Sequence, residues 1–329
     1  MTSTIAAPAA RTAARWNRPL VGLTAALALL TLLTLAGILF DDRTIAGSAA
    51  WLKPFKFSVS FALYAGTLAW MLTLLPKVGR TAVTAVLVIV ATSVAEVGAV
   101  VAQSARGVPS HYNTDTALDS ALWTTMAVAS VLLFAGQVLL GVAVLRQRIA
   151  DRAASTGVRL GLALSAVGML AAVPMVLPMA VPGRDGETQA HTVGAPDGGA
   201  GMALTGWSTT GGDLRVGHFV GLHALQALPL LAFLLGRYAG RLAERTRVRL
   251  LVVAGAAYGG LTVLLTAQAL RGQPLPAPDV WTLAALGVLV AGTGGAAVRA
   301  LVLDRRSGTK PPLATVAALP VRQDFDRAA

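Results

Sequence analysis

The chain contains eight long apolar segments, and this feature restricts its fold more than any other. Each segment has about the 20 residues that an α-helix needs to cross roughly 30 Å of hydrocarbon. In lipid, every backbone polar group must find its partner within the protein, so segments of this kind form helices. The sequence therefore predicts an all-α polytopic membrane bundle of eight transmembrane helices. They are placed near residues 19–40, 54–75, 81–105, 120–145, 158–181, 214–236, 248–270 and 280–303.

The composition agrees with a membrane protein and excludes several other classes. Of 329 residues, 55% are hydrophobic and only 13% are charged, whereas soluble domains carry about 25% charge. The absence of cysteine removes disulfides, thiolate zinc sites and iron–sulfur clusters. The net charge of +12 lies in loops and tails, which indicates topology and lipid headgroups rather than nucleic acid. No P-loop, nucleophile elbow or dinucleotide fingerprint is present.

The distribution of lysine and arginine predicts the orientation of the chain. With the N-terminus inside, 20 of the 27 basic residues fall on the cytoplasmic side, as the positive-inside rule requires. The first apolar segment is longer than the 7–15 residues of a signal peptide, so we expect a retained helix. We therefore predict a multi-pass protein of the bacterial plasma (inner) membrane, with cytoplasmic tails at 1–18 and 305–329.

The two halves of the chain share a pattern that predicts an internal repeat. Residues 52–57 match 214–219, and residues 102–107 match 267–272, at offsets of 162 and 165. Four helices in each copy give both copies the same orientation, as in parallel-repeat transporters. Chance similarity between Ala/Leu/Gly-rich segments is the alternative. The predicted copies are residues 19–150 and residues 151–304, the second of which includes a long outer loop at 182–213.

This outer loop is rich in glycine, which is typical either of a functional cover or of disorder. Just before it, Pro174, Pro178 and Pro182 predict a bend in the outer half of the fifth helix.

The sixth segment is unusually polar for a membrane helix. Arg215, His218, His223 and Gln226 fall on one arc of about 140° on a helical wheel. Ionisable groups inside a membrane helix are costly and indicate a functional site. The alternative is that each histidine bonds a neighbouring helix and serves packing alone.

Glu96 of the third segment lies about as deep as His223, roughly 14 Å below the outer end of its helix. A Glu–His pair in such a place would share one proton, and we hypothesise that these two side chains face each other. A hydrogen bond from a serine, or one to a backbone carbonyl, is the alternative for Glu96. Gln103 continues the polar stripe of the same helix outward.

Further basic and polar residues are expected at the outer mouth. Lys53 and Lys56 flank Pro54 at the start of the second helix, where a helix N-terminus favours anions. Alternatively, these lysines reach outward to lipid phosphates. The candidate ligand-binding residues are Lys53, Lys56, Glu96, Gln103, Arg106, His111, Arg215, His218, His223, Gln226 and Arg271.

These residues predict an outward-facing electropositive pocket that binds or transports a small anionic or amphiphilic ligand. One alternative is a redox protein with haem or quinone, and another is a metal-dependent membrane hydrolase. Neither cofactor is favoured. Haem would need a histidine on each of two helices, and only the sixth helix has any; the spacing of its two histidines also differs from the i, i+4 spacing of helical metal ligands. If a metal or haem is bound, its candidate ligands are His218, His223, His111 and His191.

Four phrases of the sequence resemble those of an uncharacterised family of bacterial multi-pass inner-membrane proteins with no assigned activity. The resemblance covers roughly residues 19–303 and implies a bacterial inner membrane, but it carries no catalytic role. The phrases are Trp51-x-Lys53-Pro54-x-Lys56-Phe57, Arg106-Gly-x-x-Ser110-His111-x-Asn113, His191-Thr-Val-Gly194 and Asp213-Leu-Arg215-x-x-His218-Phe-x-Gly-Leu-His223-Ala-Leu-Gln226.

Overall fold

A computed structural model describes residues 17–176 and 189–306, and within them eight helical spans are long and apolar enough to cross a membrane. The prediction of an all-α bundle with eight such spans is thus confirmed. Six spans are single helices, and the fifth and sixth spans each consist of two. The helices are α1 Arg18–Phe40, α2 Leu52–Thr73, α3 Arg80–Arg106, α4 Ala117–Leu145, α5 Arg152–Leu170, α6 Val173–Val176, α7 Leu214–Leu222, α8 Ala224–Tyr238, α9 Glu244–Leu270 and α10 Val280–Arg306.

Side-chain caps define where several helices begin. The Asn17 side chain accepts from Leu20 N at 3.2 Å before α1, and the Asp151 carboxylate accepts from the first turn of α5. Asp213 caps α7 in the same way. Each cap satisfies an N–H group that the helix itself leaves unpaired, so these short polar residues set the start of a largely apolar helix.

The fifth and sixth spans are interrupted. The interruption of the fifth agrees with the bend predicted at Pro174, whereas the interruption of the sixth corrects the prediction of a continuous helix. The fifth span breaks at residues 171–172 and resumes at Val173. The break lies directly before Pro174, whose ring opposes the carbonyl of the preceding turn. The sixth span has a turn at His223 between α7 and α8. Pro178 and Pro182 lie outside the described residues.

The bundle packs in pairs of consecutive spans. α1 packs on α2 and α3 packs on α4, while α5 packs on α7 and α8, and α9 packs on α10. The largest core cluster joins both halves of the chain. It includes the fully buried Leu20, Leu68, Ile89, Leu140 and Leu225.

Small residues let α5 approach the sixth span very closely. Gly168 of α5 meets Gly221 of α7 backbone to backbone, and a Cβ on either would overlap the other helix. About three turns nearer the start of α5, a Cβ on Gly157 would lie 2.8 Å from the carbonyl oxygen of Leu228. In membranes, where water does not drive helices together, such small-residue contacts are a main source of association.

Two small antiparallel sheets lie at one end of the bundle, each just before the second helix of a chain half. β1 Thr44–Ile45 pairs with β2 Ser48–Ala49, and Ala46 and Gly47 between them both have positive φ, as a type I′ turn requires. β3 Thr192–Val193 pairs with β4 Gly212–Asp213. We call this end, formed by residues 41–51, 107–116, 189–213 and 271–279, the histidine end.

Candidate functional site

Five aromatic side chains meet at the histidine end and form what we call the ring cluster: Phe57, His111, Tyr112, Trp123 and His191. The ring centroids of His111 and His191 lie 6.0 Å apart, and those of Tyr112 and Trp123 lie 4.9 Å apart. The cluster joins the start of α2, the α3–α4 loop, the start of α4 and the segment before β3. Side chains from four separate parts of the chain are thus in contact at one site.

The α3–α4 loop presents His111 and Tyr112 through two left-handed backbone positions. Gly107 ends α3 with φ 76°, and Tyr112 has φ 58°. Glycine adopts this conformation freely, but it is unfavourable for a residue as bulky as tyrosine. The Tyr112 hydroxyl donates to the carbonyl oxygen of Met175 at 2.9 Å and so ties the loop to α6.

His191 is oriented by a carboxylate. Its Nδ1 lies 2.8 Å from Asp197 Oδ2, and the same carboxylate accepts from the backbone N–H of His191 at 2.9 Å and from that of Thr192 at 2.9 Å. A proton on Nδ1 leaves Nε2 as a hydrogen-bond acceptor. The His191 ring, in contact with His111 and Tyr112, therefore adds an acceptor nitrogen to the ring cluster.

The segment from residue 189 to residue 213 covers the site, and hydrogen bonds within the segment hold its shape. Gly201 and Ser208 form an isolated β-bridge, and Asp213 accepts from Ser208 N at 2.8 Å. Lys56 Nζ donates to Thr205 O at 2.7 Å. The described part of the predicted outer loop is thus an ordered cover that is fastened to α2 and α7, and we call residues 189–213 the roof.

Three cations lie under the roof, and two of them have specific partners. Arg215 binds both carboxylate oxygens of Asp213, at 2.9 Å and 2.6 Å, and donates to Gly206 O at 2.8 Å. Lys56 is held by the carbonyl described above. For the half-buried Lys53, by contrast, no described residue accepts a hydrogen bond from its ammonium group, although it is within electrostatic range of Arg215, Asp197 and Glu96.

The histidines of the ring cluster are electrically neutral at physiological pH. Burial lowers the pKa of His111 well below its usual range, and the positive charge of Lys53 acts in the same direction. Burial also lowers the pKa of His191, against the opposing effect of its hydrogen bond with Asp197. Burial raises the pKa of Asp197, but hydrogen bonds from His191 and Thr192 outweigh this effect and keep that pKa well below its usual range. The positive charge near these rings therefore comes from Lys53 and Arg215.

The hypothesis of a Glu96–His223 pair is wrong in this structure. The buried Glu96 carboxylate accepts a hydrogen bond from the Ser130 hydroxyl of α4, and no hydrogen bond or ion pair links Glu96 to His223. His223 Nδ1 instead lies 3.3 Å from Gln226 Oε1, one turn along its own span. Equal depth in two helices did not bring the side chains together because α3 packs chiefly on α4.

His218 also serves a local contact. Its Nδ1 lies 2.8 Å from the carbonyl oxygen of Gly168 on α5, next to the glycine contact that joins the two spans. This is the packing role that the sequence left open for a membrane histidine. The polar arc of the sixth span is therefore divided, with Arg215 under the roof, His218 on α5, and His223 bonded to Gln226.

Three further residues predicted to bind the ligand instead link consecutive helices through polar contacts: Gln103, Arg106 and Arg271. Gln103 Nε2 donates to Asp119 Oδ1 at 2.8 Å, and Arg106 pairs with the same oxygen at 2.6 Å. Arg271 reaches the start of α10, where it pairs with Asp279 at 3.2 Å. The two arginines each have a carboxylate partner, so they stabilise helix contacts rather than contribute charge to the ring cluster.

Of the predicted site, the structure thus brings together Lys53, Lys56, His111 and Arg215. His191, which was predicted as a ligand only if a metal or haem is bound, lies with them. The sequence reasoning missed Tyr112, Trp123 and Asp197, which contact these residues directly. One signal was available, because Trp123 lies near the start of its span, where aromatic residues often face the membrane interface. That interfacial preference does not predict the contact between Trp123 and His111.

Among the described residues, no group of three histidine, aspartate or glutamate side chains is close enough to hold a metal ion. The two closest histidine rings, those of His111 and His191, are each engaged by aromatic neighbours. The geometry of this part of the chain gives no support to the metal-dependent hydrolase alternative.

Comparisons of the chain with protein-family models, curated proteins and solved structures find no match. The resemblance to a bacterial membrane-protein family therefore stays a prediction, and the function is argued from the site alone.

Proposed function

We propose that this protein is a multi-pass membrane protein that binds a small anionic or amphiphilic ligand at the ring cluster, with Lys53 as the charged anchor. The contrast among the three cations under the roof carries the proposal. Arg215 and Lys56 are held by a carboxylate and a carbonyl, whereas the half-buried Lys53 has no such partner among the described residues. An ammonium group that no described residue pairs with remains available to an anionic ligand, which would supply both a hydrogen-bond acceptor and a counter-charge.

The rings around Lys53 suggest the rest of the ligand. Phe57, Trp123 and Tyr112 offer apolar faces, and the neutral His191 offers an acceptor nitrogen oriented by Asp197. A carboxylate or phosphate joined to a flat or apolar body, with one hydroxyl or N–H group, fits this combination. Sites for small molecules commonly combine apolar walls with a few placed polar groups.

The topology proposed for the chain places this site on the outer face of a bacterial plasma membrane. Its support is the distribution of charge, since 20 of the 27 basic residues fall on the side of the predicted cytoplasmic tails. The histidine end, which holds the ring cluster and the roof, is the opposite end. The ligand would then enter from outside the cell.

We also propose that the chain is duplicated, with four spans in each copy. The helix contacts support this, because the first and second spans of each half pack together, as do the third and fourth. In each half, an arginine at the end of the third span pairs with an aspartate at the start of the fourth: Arg106 with Asp119, and Arg271 with Asp279. Under this proposal, Asp119 is the counterpart of Asp279.

The test uses purified protein in mild detergent and follows its thermal unfolding with octanoate, benzoate and inorganic phosphate as probes. A ligand present at 100 times its Kd stabilises the native state by about 2.7 kcal/mol, so an anionic probe that binds should raise Tm. Lys53→Met should lose this rise. Lys77→Met, at an exposed lysine of the opposite end, should keep it, and so should His223→Ala, since His223 bonds only within its own span.

The proposal fails if Lys53→Met responds to every stabilising probe as the unchanged protein does. An absorption spectrum and a metal analysis of the same sample address the alternatives. A Soret band in the spectrum would favour the haem-linked redox alternative, in which His111 and His191, 6.0 Å apart, are the nearest pair of ligands. Stoichiometric zinc, iron or copper would revive the hydrolase.

A further inference from the structure

A cavity of about 220 Å³ lies between α4 and α5, at the end of the bundle away from the ring cluster. Its walls are largely apolar and include Val142 of α4 and Leu162 of α5. Val138 and Leu145 on its lining are 42% and 58% exposed, so the cavity reaches the lipid-facing surface of the bundle. We call it the α4–α5 cavity.

Two polar side chains of this lining have buried nitrogen atoms without a partner. Gln137 is only 1% exposed; its Oε1 accepts from the Tyr64 hydroxyl at 2.9 Å, whereas its Nε2 has no hydrogen-bond partner. Arg159 donates from Nη2 to Gln147 O at 3.2 Å, but its buried Nε has no partner. Leaving a buried donor unsatisfied costs roughly 1–3 kcal/mol, so both side chains would be stabilised by an acceptor that reaches them from this cavity.

The charge of Arg159 is also uncompensated. No described carboxylate pairs with it, and the nearby Asp151 is engaged by the N–H groups of the first turn of α5 at 2.7 Å and 3.0 Å. Arg146, Arg148 and Arg152 add further positive charge to the connection between the two helices. An occupant with a negative charge at this end and an apolar body beyond it would match the cavity.

The depths of the polar atoms suit a lipid. α4 has 29 residues, which make a helix of about 44 Å, close to the thickness of a bilayer with its headgroups. Gln137 lies eight residues from the end of α4, about 12 Å along the helix axis. This is about 5 Å below the boundary of a hydrocarbon core roughly 30 Å thick. Arg159 extends back toward the α4–α5 connection, where lipid phosphates lie.

We propose that the α4–α5 cavity binds one anionic phospholipid from the surrounding leaflet. Its phosphate interacts with Arg159, an ester carbonyl accepts from Gln137 Nε2, and one acyl chain fills the space between Val142 and Leu162. The site is separate from the ring cluster and does not depend on the function proposed for it.

The experiment is native mass spectrometry of the full chain, delipidated in mild detergent and then titrated with phosphatidylglycerol or phosphatidylcholine of identical acyl chains. We expect one phosphatidylglycerol to bind at least tenfold more tightly than phosphatidylcholine. Arg159→Met should remove this preference, and Arg80→Met, at an exposed arginine of the same end, should retain it.

A second variant tests the cavity without removing a polar group. Gly141 lines the cavity, and a Cβ there would meet nothing within 4 Å, so Gly141→Leu introduces a larger apolar side chain at an open position of the lining. It should abolish the bound lipid while leaving Tm in detergent unchanged or raised. This variant decides the question even if Arg159→Met does not fold.

Three results would overturn the proposal. The first is equal binding of the two phospholipids to the unchanged protein, and the second is an unchanged phosphatidylglycerol adduct in Gly141→Leu. The third is full stabilisation by inorganic phosphate alone, which would mean that the cavity takes a free anion and not a lipid.

Discussion

The strongest test of the roof is Asp213→Asn. The Asp213 side chain is fully buried and accepts four hydrogen bonds, three from Arg215, at 3.0, 2.9 and 2.6 Å, and one from Ser208 N at 2.8 Å. Asparagine has nearly the same size, but one of its two terminal atoms is a donor. The amide nitrogen would face the donors of Arg215 and Ser208 and would leave the guanidinium without its counter-charge.

The expected loss follows from these contacts. Removing one partner of a buried ion pair costs about 3–5 kcal/mol, and at about 2–4 °C per kcal/mol in a protein of a few hundred residues this predicts a fall in Tm of about 6–20 °C. Differential scanning fluorimetry of purified protein in detergent measures the change. Six tryptophans provide the signal.

Asp41→Asn is the matched control, because Asp41 pairs with an arginine at the same spacing of two residues, at 2.7 Å. In that pair Asp41 is 25% exposed and Arg43 is 49% exposed, so water can replace the lost contacts. We expect a much smaller fall in Tm for the control. Equal shifts in the two variants would refute the reasoning that the roof depends on a buried ion pair.

Three further predictions concern other parts of the bundle. Gly221→Ala should lower stability by about 1–3 kcal/mol, since overpacking is destabilising, whereas Gly287→Ala, whose Cβ meets nothing within 4 Å, should not; equal Tm values would contradict the close contact. The lowered pKa values of His111 and His191 mean that stability is complete above about pH 6.5 and falls as the unfolded state gains protons below it. Replacing both histidines with Asn should flatten the loss of Tm between pH 7 and pH 5, and an unchanged slope would contradict this. Tyr112→Phe should lower stability by about 1 kcal/mol through its lost hydrogen bond to α6, and a Tm equal to that of the unchanged protein would assign that bond no role.

The spans were predictable because length and apolar composition act within each segment. A run of about 20 apolar residues has few alternatives to a membrane helix, whatever its neighbours are. The break in the fifth span was also predictable, since Pro174 acts on its own backbone. The turn at His223 had no such local signal, and the sixth span was expected to be continuous.

The site was harder to predict because its contacts join distant parts of the chain. The helical wheel grouped Arg215 with His218 on one side of a helix, but it could not say which neighbour each residue meets. In the structure, Arg215 pairs with Asp213, and His218 forms a hydrogen bond with the backbone of α5. Glu96 and His223 were predicted at similar depths, yet their partners are set by which helices are adjacent, and this is a property of packing rather than of any local pattern.

The left-handed backbone of Tyr112 has a consequence for the kinetics of the proposed ligand binding. Holding a tyrosine at φ 58° costs on the order of 1–2 kcal/mol, and this cost is met during folding, when the loop docks on α6 through the tyrosine hydroxyl. The rings of the cluster are therefore already in position before any ligand arrives. A pre-organised site of this kind loses little conformational entropy on association, so differences in affinity between related ligands should appear in their dissociation rates.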